Sequence, residues 1–128
     1  MRSYDPHKAP KPADWLELEA LERVSLIRAY HRRRRVKLPN PTVHATIHSV
    51  VENQLALGEQ TPVARTLERL QAEGLDRHEA VHAIGSVLAV RIWDLLRQPA
   101  AAHSDLEEEY YAELEKLSAD SWRRGGPG

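Results

Sequence analysis

The chain contains no cysteine and no phenylalanine. Without cysteine, neither a disulfide framework nor a thiolate metal site can form, so any metal ion must be held by His, Asp or Glu. No apolar run approaches the roughly 18 residues that a membrane-spanning helix requires, and the N-terminus lacks the apolar core of a signal peptide. These absences predict a cytoplasmic protein with no membrane partner.

A large excess of one charge is also absent, because 18 Lys and Arg stand against 19 Asp and Glu. This balance argues against nucleic acid as the main partner. The one basic run is Arg32 to Arg35 with Lys37. Positive side chains at a helix C-terminus are favoured by the helix dipole, so the run is typical of a solvated helix end. Its role stays open.

The length and composition predict one domain. A chain of 128 residues with 41% hydrophobic residues is long enough for one sizeable core and too short for two. Residues 1–13 carry three prolines and little that could pack, so we expect a flexible N-terminal arm. Residues 14–122 are the single helical domain, and residues 123–128 are a flexible tail.

The fold class follows from periodicity. No period-2 alternation bounded by turn residues occurs, so no strand is predicted and the domain is all-α. Capping signals and helical spacing of apolar residues predict five helices that open in turn at Asp14, Asn40, Thr61, Asp76 and Ser104. Short connections favour antiparallel neighbours, which gives an up-down bundle of four helices plus a C-terminal fifth helix.

Two of these helices carry paired histidines. The second predicted helix has His44 and His48 with Glu52 one turn further on, and the fourth has His78 and His82. Residues four apart share a helix face and can reach one ion.

Topology brings the pairs together. In an up-down bundle the second and fourth helices run parallel, so His44 should lie level with His78, and His48 with His82. His31 lies late on the first helix, on its apolar face, and should reach the same end.

The cluster predicts a metal site. A single inward histidine is usually a hydrogen-bonded core residue, but five would leave many ring nitrogens in need of partners. Nitrogen-rich ligation suits zinc, iron, nickel or manganese as the divalent ion. The candidate ligands are His44, His48, His78, His82, His31, Glu52 and Glu79.

The segment from His78 to His82 also matches the HExxH pattern of zinc metallopeptidases. Three observations weaken that match. Glu79 is explained as the capping-box partner of Asp76, Leu88 stands where the extended pattern needs a third histidine, and no edge strand is available for a peptide. The His/carboxylate spacing is similar to that of hemerythrin-like bundles, although an extra helix separates the two pairs.

A family resemblance accompanies these segments. The stretches YHRRRRVKLPNPTVHATIHSVVENQLALGE and EGLDRHEAVHAIGSVLA resemble a family of small bacterial all-helical proteins of unknown function. The resemblance covers residues 14 to about 122, with YYAELEKLSADSW closing it. It implies that the segments belong to one fold, and it brings no assigned activity.

Two function classes therefore stay open, and whether the protein is an enzyme is not decided. One is a metal-binding bundle, including a hydrolase or redox enzyme, and the other is a non-enzymatic helical module that binds a protein partner. A second apolar side on the fourth helix, at Val87, Val90 and Trp93, predicts cover by the fifth helix or by a second copy in a homodimer.

Overall fold

The computed structural model describes residues 1–35, 40–97 and 106–125. In these ranges all regular structure is helical and no strand occurs, which confirms the all-α prediction. None of the described helices is long and apolar enough to cross a membrane. In the described part of the chain, a short 3₁₀ turn, Gly58–Gln60, accompanies seven α-helices, which are α1 Pro12–Glu17, α2 Ala20–Arg33, α3 Pro41–Ala56, α4 Val63–Ala72, α5 Arg77–Arg97, α6 Leu106–Lys116 and α7 Ala119–Arg123.

The first predicted helix is two helices. The chain leaves the helical conformation at Leu18, and α2 opens at a capping box between Glu19 and Glu22. The expected capping box of Asp14 and Glu17 is therefore wrong, since Asp14 lies in the first turn of α1. The predicted box at Asp14 and the observed box at Glu19 start only five residues apart, which is too close for sequence spacing to tell which one opens the long helix.

Arg23 fills the break between α1 and α2. Its Nε donates to the carbonyl of Trp15 at 3.1 Å and its Nη2 to that of Leu16 at 2.9 Å, so it satisfies acceptors at the end of α1. Trp15 is fully buried, and its Nε1 donates to Oδ1 of Asn53 on α3 at 2.9 Å. The break thus directs the indole of Trp15 into the core.

The predicted start of α3 is confirmed, because Oδ1 of Asn40 accepts from the backbone N–H of Val43 at 3.1 Å. The inner face of α4 is confirmed as well. Val63, Leu67 and Leu70 are all buried there.

The expected directions of α3 and α5 are wrong. Glu52, late on α3, pairs with Arg77, the first residue of α5, while early His44 lies 4.9 Å from His82 between ring centroids. The two helices therefore run antiparallel, and His44 is not level with His78 as the up-down order required. The ten residues of α4 span about 15 Å, and they join α3 to α5 in such a way that α5 starts near the end of α3, beside Glu52.

The C-terminal helix α6 covers only part of α5. Tyr110 and Leu114 of α6 are buried, as is Val87 of α5. Trp93, however, is 59% exposed and Leu96 is 69% exposed, so the predicted cover stops short of Trp93. The predicted helix start at Ser104 lies outside the described residues, and a homodimer stays a prediction.

The basic run lies at the end of α2, as the helix-dipole argument predicted. Arg32 and Arg33 form its last turn, and the side chains from Arg32 to Arg35 are exposed. Arg34 lies over the ring of Tyr30, with 5.4 Å from its guanidinium carbon to the ring centroid. Lys37 lies outside the described residues.

Candidate metal centre

Three helices bring five imidazoles together. His31 comes from α2, His44 and His48 from α3, and His78 and His82 from α5. The ring centroids are 4.2 Å apart for His78 and His82, 5.4 Å for His48 and His82, and 5.7 Å for His31 and His48. A histidine cluster is therefore present where α2, α3 and α5 meet.

The closest set differs from the one expected. Ligand atoms of His31, His48, His78 and His82 all lie within 4.8 Å of one another. His44 is outside this group, although its ring is 4.8 Å from that of His31. We expected His44, His48, His78 and His82 to form the site, with His31 near it. The antiparallel register of α3 and α5 reverses these two positions.

The rings carry nitrogen atoms that nothing in the described structure satisfies. A buried polar atom without a hydrogen-bond partner costs about 1–3 kcal/mol of folding free energy, so such atoms are rare. Side-chain packing alone does not explain a cluster of them. Five buried ring nitrogens lack a hydrogen bond here, namely Nε2 of His31, His44, His78 and His82 and Nδ1 of His48.

Hydrogen bonds fix the orientation of two rings. Nδ1 of His31 donates to the carbonyl of Ile27 at 2.9 Å, which leaves its Nε2 with a lone pair. Nε2 of His48 is 2.8 Å from the hydroxyl of Tyr4, which itself donates to Glu52. Because a phenol has one proton, His48 must donate to Tyr4, and Nδ1 of His48 keeps the lone pair.

The carboxylate behind Tyr4 is held by a buried ion pair. The Nη1 and Nη2 atoms of Arg77 both donate to Glu52 at 2.8 Å, and the two side chains are 7% and 1% exposed. Glu52 was a candidate metal ligand from its spacing. It lies outside the group of close ligand atoms, and its oxygens are taken by Arg77 and Tyr4.

The N-terminal segment, residues 4–7, closes one side of the cluster. Tyr4 and Pro6 are buried, and the carbonyl of Pro6 accepts from Arg77 at 2.9 Å. The ring of His7 is 5.3 Å from that of His78. The expectation that residues 1–13 hold little that could pack is therefore wrong for Tyr4 and Pro6.

Burial keeps four of the imidazoles neutral. Desolvation, with the neighbouring imidazoles adding to it, lowers the pKa of His78 to about 4 and that of His82 to about 3. The same causes lower the pKa of His48 well below its usual value, and the pKa of His44 is lowered too. Burial, followed by the charge of Glu52, raises the pKa of Tyr4. At neutral pH the rings of His44, His48, His78 and His82 are therefore uncharged.

Glu79, the glutamate of the HExxH segment, is exposed at the start of α5. Its backbone N–H donates to Oδ1 of Asp76 at 2.8 Å, so the side chain of Asp76 caps the start of α5 as predicted. It does not belong to the close group of ligand atoms.

A cleft of about 270 Å³ reaches the cluster on the side of His44, His48 and His82. Its walls come from α3, α5 and Trp122 of α7, and they include Ile47. A small molecule entering this cleft would meet the imidazoles directly.

The comparisons with known proteins give a family and no activity. No curated protein and no solved structure matches the chain. A family model described as a domain of unknown function, DUF1841, matches residues 17–116, which is most of the chain. The chain therefore belongs to the DUF1841 family.

Proposed function

We propose that this protein binds a divalent transition-metal ion where α2, α3 and α5 meet, with His31, His48, His78 and His82 as ligands. The observation that carries the proposal is the set of buried ring nitrogens without hydrogen-bond partners. A bound ion would satisfy several of them at once, which neither water at a single nitrogen nor side-chain packing achieves.

The partners behind the rings support the same proposal. A metal-binding histidine commonly donates its second ring N–H to a carbonyl or carboxylate, which fixes the ring and raises its basicity. His31 does so through Ile27, and His48 does so through Tyr4 and then Glu52. Both arrangements leave the remaining nitrogen deprotonated and free to bind.

The ligand nitrogens of the four histidines must move slightly closer together to bind one ion. Two nitrogens on a tetrahedral ion lie about 3.3 Å apart, and two on opposite sides of an octahedral ion about 4.2 Å, for bonds of about 2.0–2.1 Å. The ligand atoms of the four histidines lie within 4.8 Å of one another. Small side-chain rotations of His78 and His82, which are only partly buried, would close the difference.

The donor set narrows the choice of ion. The four ligands are imidazoles without a carboxylate among them, and imidazole suits zinc, copper, iron and nickel. Manganese prefers oxygen ligands, so of the ions considered from the sequence it fits least well.

His44 gives the centre an accessible side. Its ring lines the cleft and lies 4.9 Å from that of His82, and its buried Nε2 has no hydrogen-bond partner. In this position it can act as a fifth ligand or exchange a proton with a bound molecule. Catalytic metal sites keep such an open position, whereas structural sites are closed. A bound ion would supply Lewis-acid chemistry at this position.

The position of Glu79 does not support a zinc hydrolase of the HExxH type. A general base must lie within hydrogen-bonding reach of the metal-bound water. Glu79 is exposed and outside the close group, so we do not assign it that role.

The test is elemental analysis of protein purified without a histidine tag, followed by titration of the chelator-treated protein with Zn²⁺ and Ni²⁺. We expect about one equivalent of ion and a higher melting temperature on binding. His82→Gln should abolish both effects. Glu79→Gln is the matched control, because Glu79 lies on the same helix, is exposed and is outside the ligand set. Wild-type protein that takes up neither ion would refute the proposal.

A further inference from the structure

We infer that the cleft between α3, α5 and Trp122 binds a small monocarboxylate with a compact apolar body, whose carboxylate reaches the metal centre. This inference rests on the proposed metal site. It assigns the class of molecule that the site receives.

The two ends of the cleft differ in chemistry. One part of the lining consists of the rings of His44, His48 and His82, and the unpaired Nε2 atoms of His44 and His82 lie buried behind that surface. The remaining walls are largely apolar, with Ile47 from α3, Ala89 from α5 and the indole of Trp122. A ligand that fits this cleft therefore has one polar end, directed at the imidazoles, and an apolar remainder.

Charge decides what the polar end is. Among the residues that the structure describes, no Asp, Glu, Lys or Arg lines the cleft. An imidazole binds a metal ion in its neutral form, and the nearby carboxylate of Glu52 is already paired with Arg77. A divalent ion in this place would keep its positive charge unless the ligand brings an anion. A second charge on the ligand would be buried without a partner, so a single carboxylate fits best.

Size restricts the apolar part. The cleft has a volume of about 270 Å³. Pockets for drug-sized ligands measure about 300–1,000 Å³, so this cleft holds roughly one ring or a short branched chain. A nucleotide or a folded peptide segment is too large and carries too many polar groups.

The experiment uses Co²⁺ as the metal and benzoate as the ligand. Co²⁺ replaces zinc in many nitrogen sites and has visible absorption bands that change when a ligand joins its coordination shell. We expect Co²⁺ binding to give such bands, and benzoate to shift them with saturation. Inorganic phosphate at the same concentration should leave them unchanged, since it brings a second charge and no apolar body.

Two alanine-to-leucine variants locate the benzoate. Ala89→Leu fills the cleft at a partly buried helical position without changing a candidate ligand, and should weaken benzoate at least tenfold while Co²⁺ still binds. Ala112→Leu makes the same change on an exposed position of α6 and should bind benzoate like the wild type.

The outcomes separate the two proposals. Failure of the wild type to bind Co²⁺ would overturn the metal site and this inference with it. Normal Co²⁺ binding without any response to benzoate would overturn the inference alone. The inference also fails if Ala89→Leu binds benzoate as tightly as the wild type does, or if phosphate produces the same spectral shift as benzoate.

Discussion

Replacing Tyr4 by Phe removes one oxygen atom from the hydrogen-bond chain behind His48. The aromatic ring stays, so its contacts with Trp15 and Tyr30, at 5.6 and 6.4 Å between centroids, are kept. What is lost is a hydrogen bond to the ionised Glu52, of about 1.5–3 kcal/mol, and the bond from His48, of about 0.5–1.5 kcal/mol. We expect Tyr4→Phe to cost about 2–4 kcal/mol of unfolding free energy.

The matched control is Tyr110→Phe, measured by urea unfolding under the same conditions. Tyr110 is as buried as Tyr4, and its hydroxyl donates a single bond to Oε1 of the neutral Gln54 at 2.7 Å. Its loss should cost only about 0.5–1.5 kcal/mol. Tyr4→Phe should also weaken metal binding about 10–100-fold, because it removes the support of His48. Equal stability losses in the two variants would refute the assignment of a charged hydrogen-bond chain to Tyr4.

Three further results are expected. Arg77→Met should cost about 3–5 kcal/mol in urea unfolding, because it leaves the carboxylate of Glu52 buried without its cation, and adding Glu52→Gln should recover part of this loss. For chelator-treated protein, the folded pKa values of His78 and His82, about 4 and about 3, lie below the unfolded value near 6.5. The stability that these groups contribute is therefore complete above pH 6.5, and it falls toward pH 4 by up to about 1.4 kcal/mol per pH unit and group. Urea midpoints that are equal at pH 7 and pH 5 would contradict this. Gly74→Ala should cost about 1–2 kcal/mol, because Gly74 ends α4 at a φ of +109° that an L-residue rarely adopts, and an unchanged urea midpoint would contradict that.

The sequence predicted the faces of the helices better than their directions. Helical spacing placed His48 and His82 on inward faces, and these faces do meet in the structure. Periodicity fixes which side of a helix is buried, but it carries no information on how a neighbouring helix runs. The direction of α5 depends on the angle at which the short α4 crosses, and that angle is set by contacts distant in sequence. His44 and His31 therefore exchanged their expected positions.

Two residues behind the cluster were missed for different reasons. Tyr4 lies in a proline-rich stretch that has no periodicity, so no pattern indicated that its ring is buried. Arg77 precedes His78, and arginine is seldom buried unless it is paired. One signal was available. Glu52 shares the inward face of His48, and a carboxylate on a buried face requires a cation, which pointed to the arginine beside the second histidine pair.

The hydrogen-bond chain links metal binding to the docking of the N-terminal segment. Coordination at Nδ1 of His48 would make its Nε2 proton more acidic and so strengthen the bond that it donates to Tyr4. Tyr4 is held in turn by Glu52, and Glu52 by Arg77, which also binds the carbonyl of Pro6. A bound metal ion would therefore stabilise the docked segment, and by thermodynamic reciprocity the docked segment would raise the affinity for the metal by the same factor. The segment closes one side of the cluster while the cleft reaches it on the side of His44, so this coupling would tighten the proposed centre and still leave it open to a small ligand.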